Sequence, residues 1–295
     1  SGYRTQLLEF VEMFNRVQLE REGCPHIHGL HLEGPYFAAS QAGAQNPAWL
    51  RNPEPEEYEE VLRRTDRIRR WSFAVELDGS DRFLETLHRH GIITSLAHSD
   101  ADYAQVAHAH ALGLSCLTHF YSCMTTVRRK NAYRYAGAIE AGYLMDELYV
   151  EAIADGSHLP AELLRLIYKV KKPHRICLVT DSIAAAGLPD GEYSLGGVAC
   201  IKEDGVAKLL DRSAFAGSVA TTDMLVRTFR RLTGAPLADV VRMVSLTPAE
   251  LLGIDRKTGS IKAGKAADLL VFDEDIQIRH ISVGGRIEFS ELAGN

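Results

Sequence analysis

Five side chains of the kinds that hold a metal ion or move a proton stand at or just past the ends of apolar runs: Glu33, His98, His119, His158 and Asp181. The sharpest case is His28-Gly29-Leu30-His31-Leu32-Glu33-Gly34-Pro35, where a run suited to a buried strand ends on a carboxylate and Gly-Pro stops the strand at once. A charge left in a dry sheet is costly, so such a carboxylate is usually paired with a cation or bound to a metal. Glu33 with the imidazoles of His98 and His119 makes a ligand set for a catalytic divalent metal with a position open for water, and Asp181 would then handle protons. Each residue also has a plainer reading. Glu33 could be salt-bridged near a turn, the histidines hydrogen-bonded at a core or rim, and Asp181 the cap of a helix starting near Ile183. What favours a shared role is repetition: four strand-like segments end in such a group, and His158 follows a fifth. In contrast, His26-Ile27-His28 sits at the opposite strand end from Glu33, and His88, His90, His108 and His110 fall on helical segments with a surface pattern.

The elements that must position these groups alternate. Leu7, Leu8, Val11, Phe14, Val17 and Leu19 predict a helix over 5–21, with Gly23-Cys24-Pro25 as its stop. A strand over 27–33 leads into a Gly/Pro/Asn-rich loop, 34–55, long enough for a lid or binding loop. Then come helix 55–67, strand 71–77, helix 80–90, strand 92–98, helix 101–112 and strand 115–119. A second long loop, 120–135, carries Arg128-Arg129-Lys130 and precedes strand 148–154, helix 160–170 and strand 175–181. Strand alternating with helix signals a parallel sheet, and this many short units favour a closed (β/α)8 TIM-like barrel, in which strand ends converge on one face. Six strands are readable. Because the chain opens on a helix, the two that complete a barrel are expected before Ser1. Beyond Asp181 the pattern changes to a β-hairpin over 192–210, helices over 219–232 and 236–253 with Thr247-Pro248 as a start, and turn-punctuated β-structure over 259–289. That tail is expected to pair with strands from outside the chain. The division is a barrel over 1–255 and part of a small β-sandwich over 256–295.

Composition narrows the partners. A net charge of -6 over 295 residues, without a basic stretch interleaved with aromatics, argues against a nucleic-acid surface. No apolar run reaches the roughly 20 residues a membrane helix needs, and no signal-peptide pattern opens the chain, so cytoplasm is the expectation. The five cysteines fall in no close-spaced motif and suggest neither a disulfide framework nor a Cys-zinc site.

His31-Leu32-Glu33-Gly34-Pro35, Ala97-His98-Ser99, Thr118-His119 with Met124 five residues on, Asp155-Gly156-Ser157-His158, Thr180-Asp181 and Ala216-Gly217-Ser218 occur in an order that resembles the N-acetylglucosamine-6-phosphate deacetylases of the amidohydrolase superfamily. The stretch Gly259 to Leu269 resembles that superfamily's return into its small β-sandwich. The resemblance implies that Glu33, His98 and His119 hold one or two divalent ions, zinc above iron, manganese or cobalt. It implies that Asp181 is general base and then general acid, and that His158 contacts the sugar or the amide carbonyl. It further implies substrate contacts from Ala44, Gln45, Ser122, Cys123, Ala216, Gly217 and Ser218. Arg128, Arg129 and Lys130 are the candidates for a phosphate clamp that crosses a homodimer. Three places depart from the family pattern: nothing here supplies the earlier strand, ahead of the one that leads to Glu33, that carries a His-x-His pair or a substitute; Gln45 stands where the family has histidine; and Ser122-Cys123 replaces Asn-Ala. The last two departures fall on substrate contacts, the first bears on the number of metal ions, and Glu33, His98, His119 and Asp181 match the pattern.

Overall fold

The computed structural model describes residues 1–22 and 24–292. Helix α1 (Arg4–Asn15) precedes strand β1 (Leu30–Glu33), and five further β/α steps follow: α2 (Pro55–Arg64), β2 (Ile68–Phe73), α3 (Ser80–Arg89), β3 (Ile93–Leu96), α4 (Tyr103–Ala111) and β4 (Cys116–Leu117). Next come a hairpin, β5 (Arg128–Lys130) and β6 (Tyr133–Tyr135), then α5 (Ala138–Leu144), β7 (Tyr149–Ala152), α6 (Ala161–Lys171) and β8 (Ile176–Leu178). The six strands β1-β2-β3-β4-β7-β8 form one parallel sheet in chain order, which is the single winding of a barrel and not the reversal of a doubly wound sheet.

The sheet curls. Three strand spacings in a flat sheet are about 14 Å, yet Glu33 on β1 lies 3.1 Å from His119 just past β4. The ion pair of Arg70 on β2 with Glu151 on β7 spans the same three steps inside the curl. The expected eight-stranded closure is not made among the described residues, since β1 and β8 do not pair with each other. An aromatic cluster braces the outer side of β1 and β2, with Phe83 edge-on to Tyr36, Trp71 and Phe73 at 5.0 to 5.1 Å. Trp71 Nε1 donates to the Gly34 carbonyl at 2.9 Å, pinning the chain where Glu33 leaves the sheet.

Several boundaries differ from the sequence expectation. Helix α1 stops at Asn15 with its capping N–H turned back to Met13 and Phe14, and the anticipated stop at Gly23 lies outside the described residues. The second strand runs over Ile68–Phe73 and not 71–77, so Glu76 sits in the turn after it. Helix α5 was not anticipated. Its buried face is Ala138, Ile139, Ala141 and Gly142, with Ile139 the one large apolar side chain and so too little for a helical apolar signal, and a side chain at Gly142 would meet Phe120 at 2.6 Å.

After β8, strands β9 (Gly191–Leu195), β10 (Val198–Glu203) and β11 (Val206–Leu209) form an antiparallel sheet with the expected turns at Gly196-Gly197 and Asp204-Gly205. Helices α7 (Thr222–Thr233), α8 (Leu237–Val244) and α9 (Leu246–Leu251) follow; the single helix expected over 236–253 breaks at Ser245. Strands β12 (Leu269–Phe272), β13 (Ile278–Val283) and β14 (Arg286–Ser290) pair with one another in an antiparallel sheet whose edges are β12 and β14. No helix among the described residues is long and apolar enough to cross a membrane.

Candidate active site

Parallel register brings the strand ends to one rim. Glu33 pairs with Ser72 on β2, and His98 and His119 each follow their strand by two residues. There the chain turns sharply: His98, His119 and Asp181 hold positive φ angles of 47°, 33° and 47°. Residues other than glycine rarely adopt this conformation, and such strain collects at functional sites. The sharp turns swing the three side chains into the curl.

Both His98 Nε2 and His119 Nε2 lie 3.1 Å from the same carboxylate oxygen, Oε1 of Glu33. One potential ligand atom from each of the three residues lies within 4.8 Å of the others. Burial works against the Glu33 charge, but the imidazoles of His119 and His98 outweigh it and hold the carboxyl well below its usual range. Burial alone would lower His98, yet Cys123 and Glu33 beside it lift the imidazole to about 10. Protons and a cation compete for one cluster of donors, and two imidazoles with one carboxylate are a donor set that suits a borderline divalent ion. The residues therefore fit the metal.

The triad opens on a cavity of about 540 Å³. Asp181 faces it from the β8 side. Its carboxyl is crowded by protein yet open to the cavity, and burial together with the negative charge of Glu33 pushes it up to about 6, against the opposing effect of His119. No helix starts near Ile183, which removes the capping role as an alternative for Asp181. His158 enters from beyond β7 with Nδ1 2.7 Å from Asp155 Oδ2, while Asp155 Oδ1 accepts from the backbone N–H groups of Ser157 and His158 at 2.9 Å each. With Nδ1 engaged, Nε2 is the ring nitrogen left for a ligand.

Of the other residues singled out from sequence, Ala44, Gln45, Ser122, Cys123, Ala216 and Gly217 line this cavity. Ser218 does not; it is buried, its N–H donates to the Asp181 carbonyl at 2.9 Å, and its hydroxyl accepts from Ala220 N–H. Arg128, Arg129 and Lys130 also lie off the cavity wall, exposed on β5, paired with Tyr135, Arg134 and Tyr133. Asn131 and Ala132 make the tight turn, both at positive φ. Two aromatic cavity residues were missed. Trp49 lies in the 34–54 loop against Gly196, and the Phe215 ring lies 4.4 Å from the His158 ring, tilted by 34°. Phe215 directly precedes the Ala216-Gly217-Ser218 motif, and that adjacency was the available signal.

The amidohydrolase family profile matches residues 14–292. The chain belongs to the amidohydrolase family. Within this family the chain is 34% identical over 264 residues to N-acetylglucosamine-6-phosphate deacetylase of Vibrio furnissii, a match covering 89% of this chain and 65% of that one. It is 33% identical over 262 residues to N-acetylgalactosamine-6-phosphate deacetylase of Escherichia coli O157:H7, covering 88% and 68%. Among solved structures, a mutant N-acetyl-D-glucosamine-6-phosphate deacetylase from Mycobacterium smegmatis in complex with N-acetyl-D-glucosamine-6-phosphate superposes with a TM-score of 0.90 at 29% identity, covering 98% of this chain and 75% of that one. The N-acetylglucosamine-6-phosphate deacetylase of Thermotoga maritima gives 0.89 at 32%, covering 99% and 77%. This amidohydrolase chain thus spans about two thirds of the length of the curated relatives it matches.

Proposed function

We propose that the protein hydrolyses the acetamide of N-acetylglucosamine 6-phosphate to glucosamine 6-phosphate and acetate, with a divalent metal held by Glu33, His98 and His119. The observation that carries this reading is the convergence of those three side chains within 4.8 Å on a cavity that Asp181 also lines, in a chain similar to deacetylases of that substrate.

When bound, a divalent cation there lowers the pKa of water and polarises a carbonyl. Zinc suits the two-imidazole, one-carboxylate set, with iron, manganese or cobalt as alternatives and the number of ions, one or two, open to assay. Asp181 takes the proton of the attacking water and then returns it to the departing amine nitrogen; a carboxyl lifted toward neutrality is well matched to both tasks. His158, held by Asp155 on one side and by Phe215 on its face, presents its remaining nitrogen to the substrate acetamide oxygen or sugar. Ala44, Gln45, Ser122, Cys123, Ala216 and Gly217 form the sugar-contacting walls in this reading, while Ser218 acts through the backbone of Asp181.

Arg128, Arg129 and Lys130 serve as the phosphate clamp of a second copy in a homodimer. Their exposure away from their own cavity supports that assignment. The reading places the hydrolase unit in residues 1–255 and the β-sandwich portion in 256–295, in a cytoplasmic protein.

A second substrate reading, another N-acyl amino sugar, is favoured by the nearly equal identity to the N-acetylgalactosamine-6-phosphate enzyme and by Gln45 in place of histidine. Acetate release from both N-acetylhexosamines, with and without the 6-phosphate, separates the readings. Preference for N-acetylglucosamine 6-phosphate is the expected result. Absence of turnover on every sugar by protein with bound cation would leave a non-catalytic sugar binder.

A further inference from the structure

We infer that Asp100 is a positioning residue that ties the 34–54 loop to the metal ligand His98, so that cation binding and the order of this loop are coupled. The inference rests on the metal-centre reading above but not on the identity of the sugar.

Residues 37–41 grip His98 from three directions. The Ala38 N–H donates to the His98 carbonyl at 3.0 Å, the Phe37 ring lies 4.5 Å from the imidazole, and the Gln41 carbonyl lies 2.7 Å from Nδ1. A carbonyl can only accept, so the last contact places the proton on Nδ1 and leaves Nε2 as the ligand atom beside Glu33. His119 has no such support: its Nδ1 is buried without a partner among the described residues. Of the two imidazoles, His98 is the one through which the loop reaches the centre.

What holds the Gln41 carbonyl in place is Asp100. Gln41 Nε2 donates to Asp100 Oδ1 at 2.7 Å, and the neighbouring Ser40 hydroxyl donates to Oδ2. Asp100 is itself anchored. Its backbone N–H donates to Glu76 Oε1, and Ser99 Oγ donates to Glu76 Oε2 at 2.6 Å. Two residues beyond Gln41 the chain turns at Gly43, with φ of 56°, beside His98 and Cys123, and then presents Ala44 and Gln45 to the cavity. One clasp therefore aims a metal ligand and sets the start of a cavity wall. Coupling between sites is reciprocal in binding free energy, so a cation that fixes His98 must favour the ordered loop, and the ordered loop must favour the cation.

The test measures Zn²⁺ affinity by competition with a chromogenic chelator, and protease cleavage within residues 38–50 with and without Zn²⁺. It compares the parent, Asp100→Ala, Asp100→Asn and the double variant Ser40→Ala with Gln41→Ala. Loss of an outer hydrogen-bond partner of a metal-bound histidine typically weakens the metal about 10- to 100-fold, and Asp100→Ala is expected to fall in that range. Zn²⁺ should protect the loop of the parent from cleavage and fail to protect that of Asp100→Ala. Fully loaded Asp100→Ala should show a raised KM with kcat little changed. Asp100→Asn keeps Oδ1 as acceptor and should bind Zn²⁺ like the parent, while the double variant, which leaves the Gln41 carbonyl in the chain, should reproduce the loss and carries the test if Asp100→Ala does not fold. Unchanged Zn²⁺ affinity in Asp100→Ala or the double variant overturns the inference. So does equal damage from Asp100→Asn, which would assign the effect to charge. A parent that binds no cation overturns the metal-centre reading along with it, and is recognised by that result alone.

Discussion

The cavity has two halves built on different physical terms. Its floor, comprising Glu33, His98, His119 and Asp181, stands at the ends of parallel strands whose register brings both imidazoles within 3.1 Å of the Glu33 carboxylate, with Asp181 lining the same cavity. Its walls, with Ala44, Gln45, Trp49, Ser122, Cys123 and Phe215, hang on loops held by a few polar contacts. Rigid elements hold reacting groups more closely than loops can, whereas loops can vary what they present without cost to the sheet. The sequence departures from the deacetylase pattern at Gln45 and Ser122-Cys123 fall on the walls, in keeping with the proposed function, in which the floor sets the chemistry and the walls set the choice of substrate.

If that division is real, a floor substitution should destroy turnover and leave sugar binding nearly intact. Asp181→Asn is expected to lower kcat about 10²- to 10⁴-fold, the usual contribution of a positioned acid–base group, with metal content by elemental analysis unchanged. A loss confined to KM would move Asp181 from the floor to the walls. A smaller effect is expected from Arg128→Ala combined with Arg129→Ala. Hydrogen bonds to charged groups contribute about 1.5–3 kcal/mol, so kcat/KM for the phosphorylated sugar should fall about 10- to 100-fold, while turnover of the unphosphorylated sugar stays as it was. Mixing this variant with Asp181→Asn protein should restore phosphate-dependent activity if the clamp reaches into a neighbouring copy, because an intact floor and an intact clamp then meet in one cavity.

The wall can also be perturbed sterically. Gly43 lies at φ 56°, and a Cβ there would come within 2.6 Å of Cys123 Sγ. Gly43→Ala should raise KM a few-fold, with backbone strain of about 1–2 kcal/mol, and adding Cys123→Ala should relieve the steric part but not the strain. A double-mutant cycle on KM reads the difference.

The floor was legible in the sequence and the walls only in part, for a physical reason. A strand that is apolar and then stops on Glu33, His98, His119 or Asp181 announces both its burial and its exit, so residue type and position carry the same message. The short strands themselves were overestimated at their ends because the turning residues, at positive φ, read as a continuation of the apolar run. The hairpin β5–β6 gives no strand signal in the sequence: its three-residue strands are exposed on both faces and show no alternation, and its turn is Asn-Ala and not Asn-Gly. Trp49 and Asp100 act through contacts with residues distant in the chain, Gly196 for one and Gln41 for the other, and no local pattern encodes those meetings. The repeat of β/α units is what points to a barrel, and among the described residues it supplies six parallel strands whose edges, β1 and β8, do not pair.

The smallest effect is in the pH dependence, and its sign separates the two halves once more. In the cation-free protein the Asp181 carboxyl is raised from 3.8 to about 6 by burial and by Glu33. A raised carboxyl pKa means that the folded chain holds this proton more tightly than the unfolded chain, so its contribution to stability declines as pH rises from about 4 to about 6. Asp181→Asn should therefore unfold at a higher temperature than the parent at neutral pH when both lack metal, and the gap should close toward pH 4. A cation among Glu33, His98 and His119 offsets the charge that lifts Asp181, so the acid limb of kcat in the loaded enzyme should fall at or below about 6. Because Gln45 carries no charge and is not among the charged groups that set that balance, Gln45→Ala should shift the KM and leave the limb where it was; a limb that moves with Gln45 would mean that the walls, too, set the proton affinity of the base.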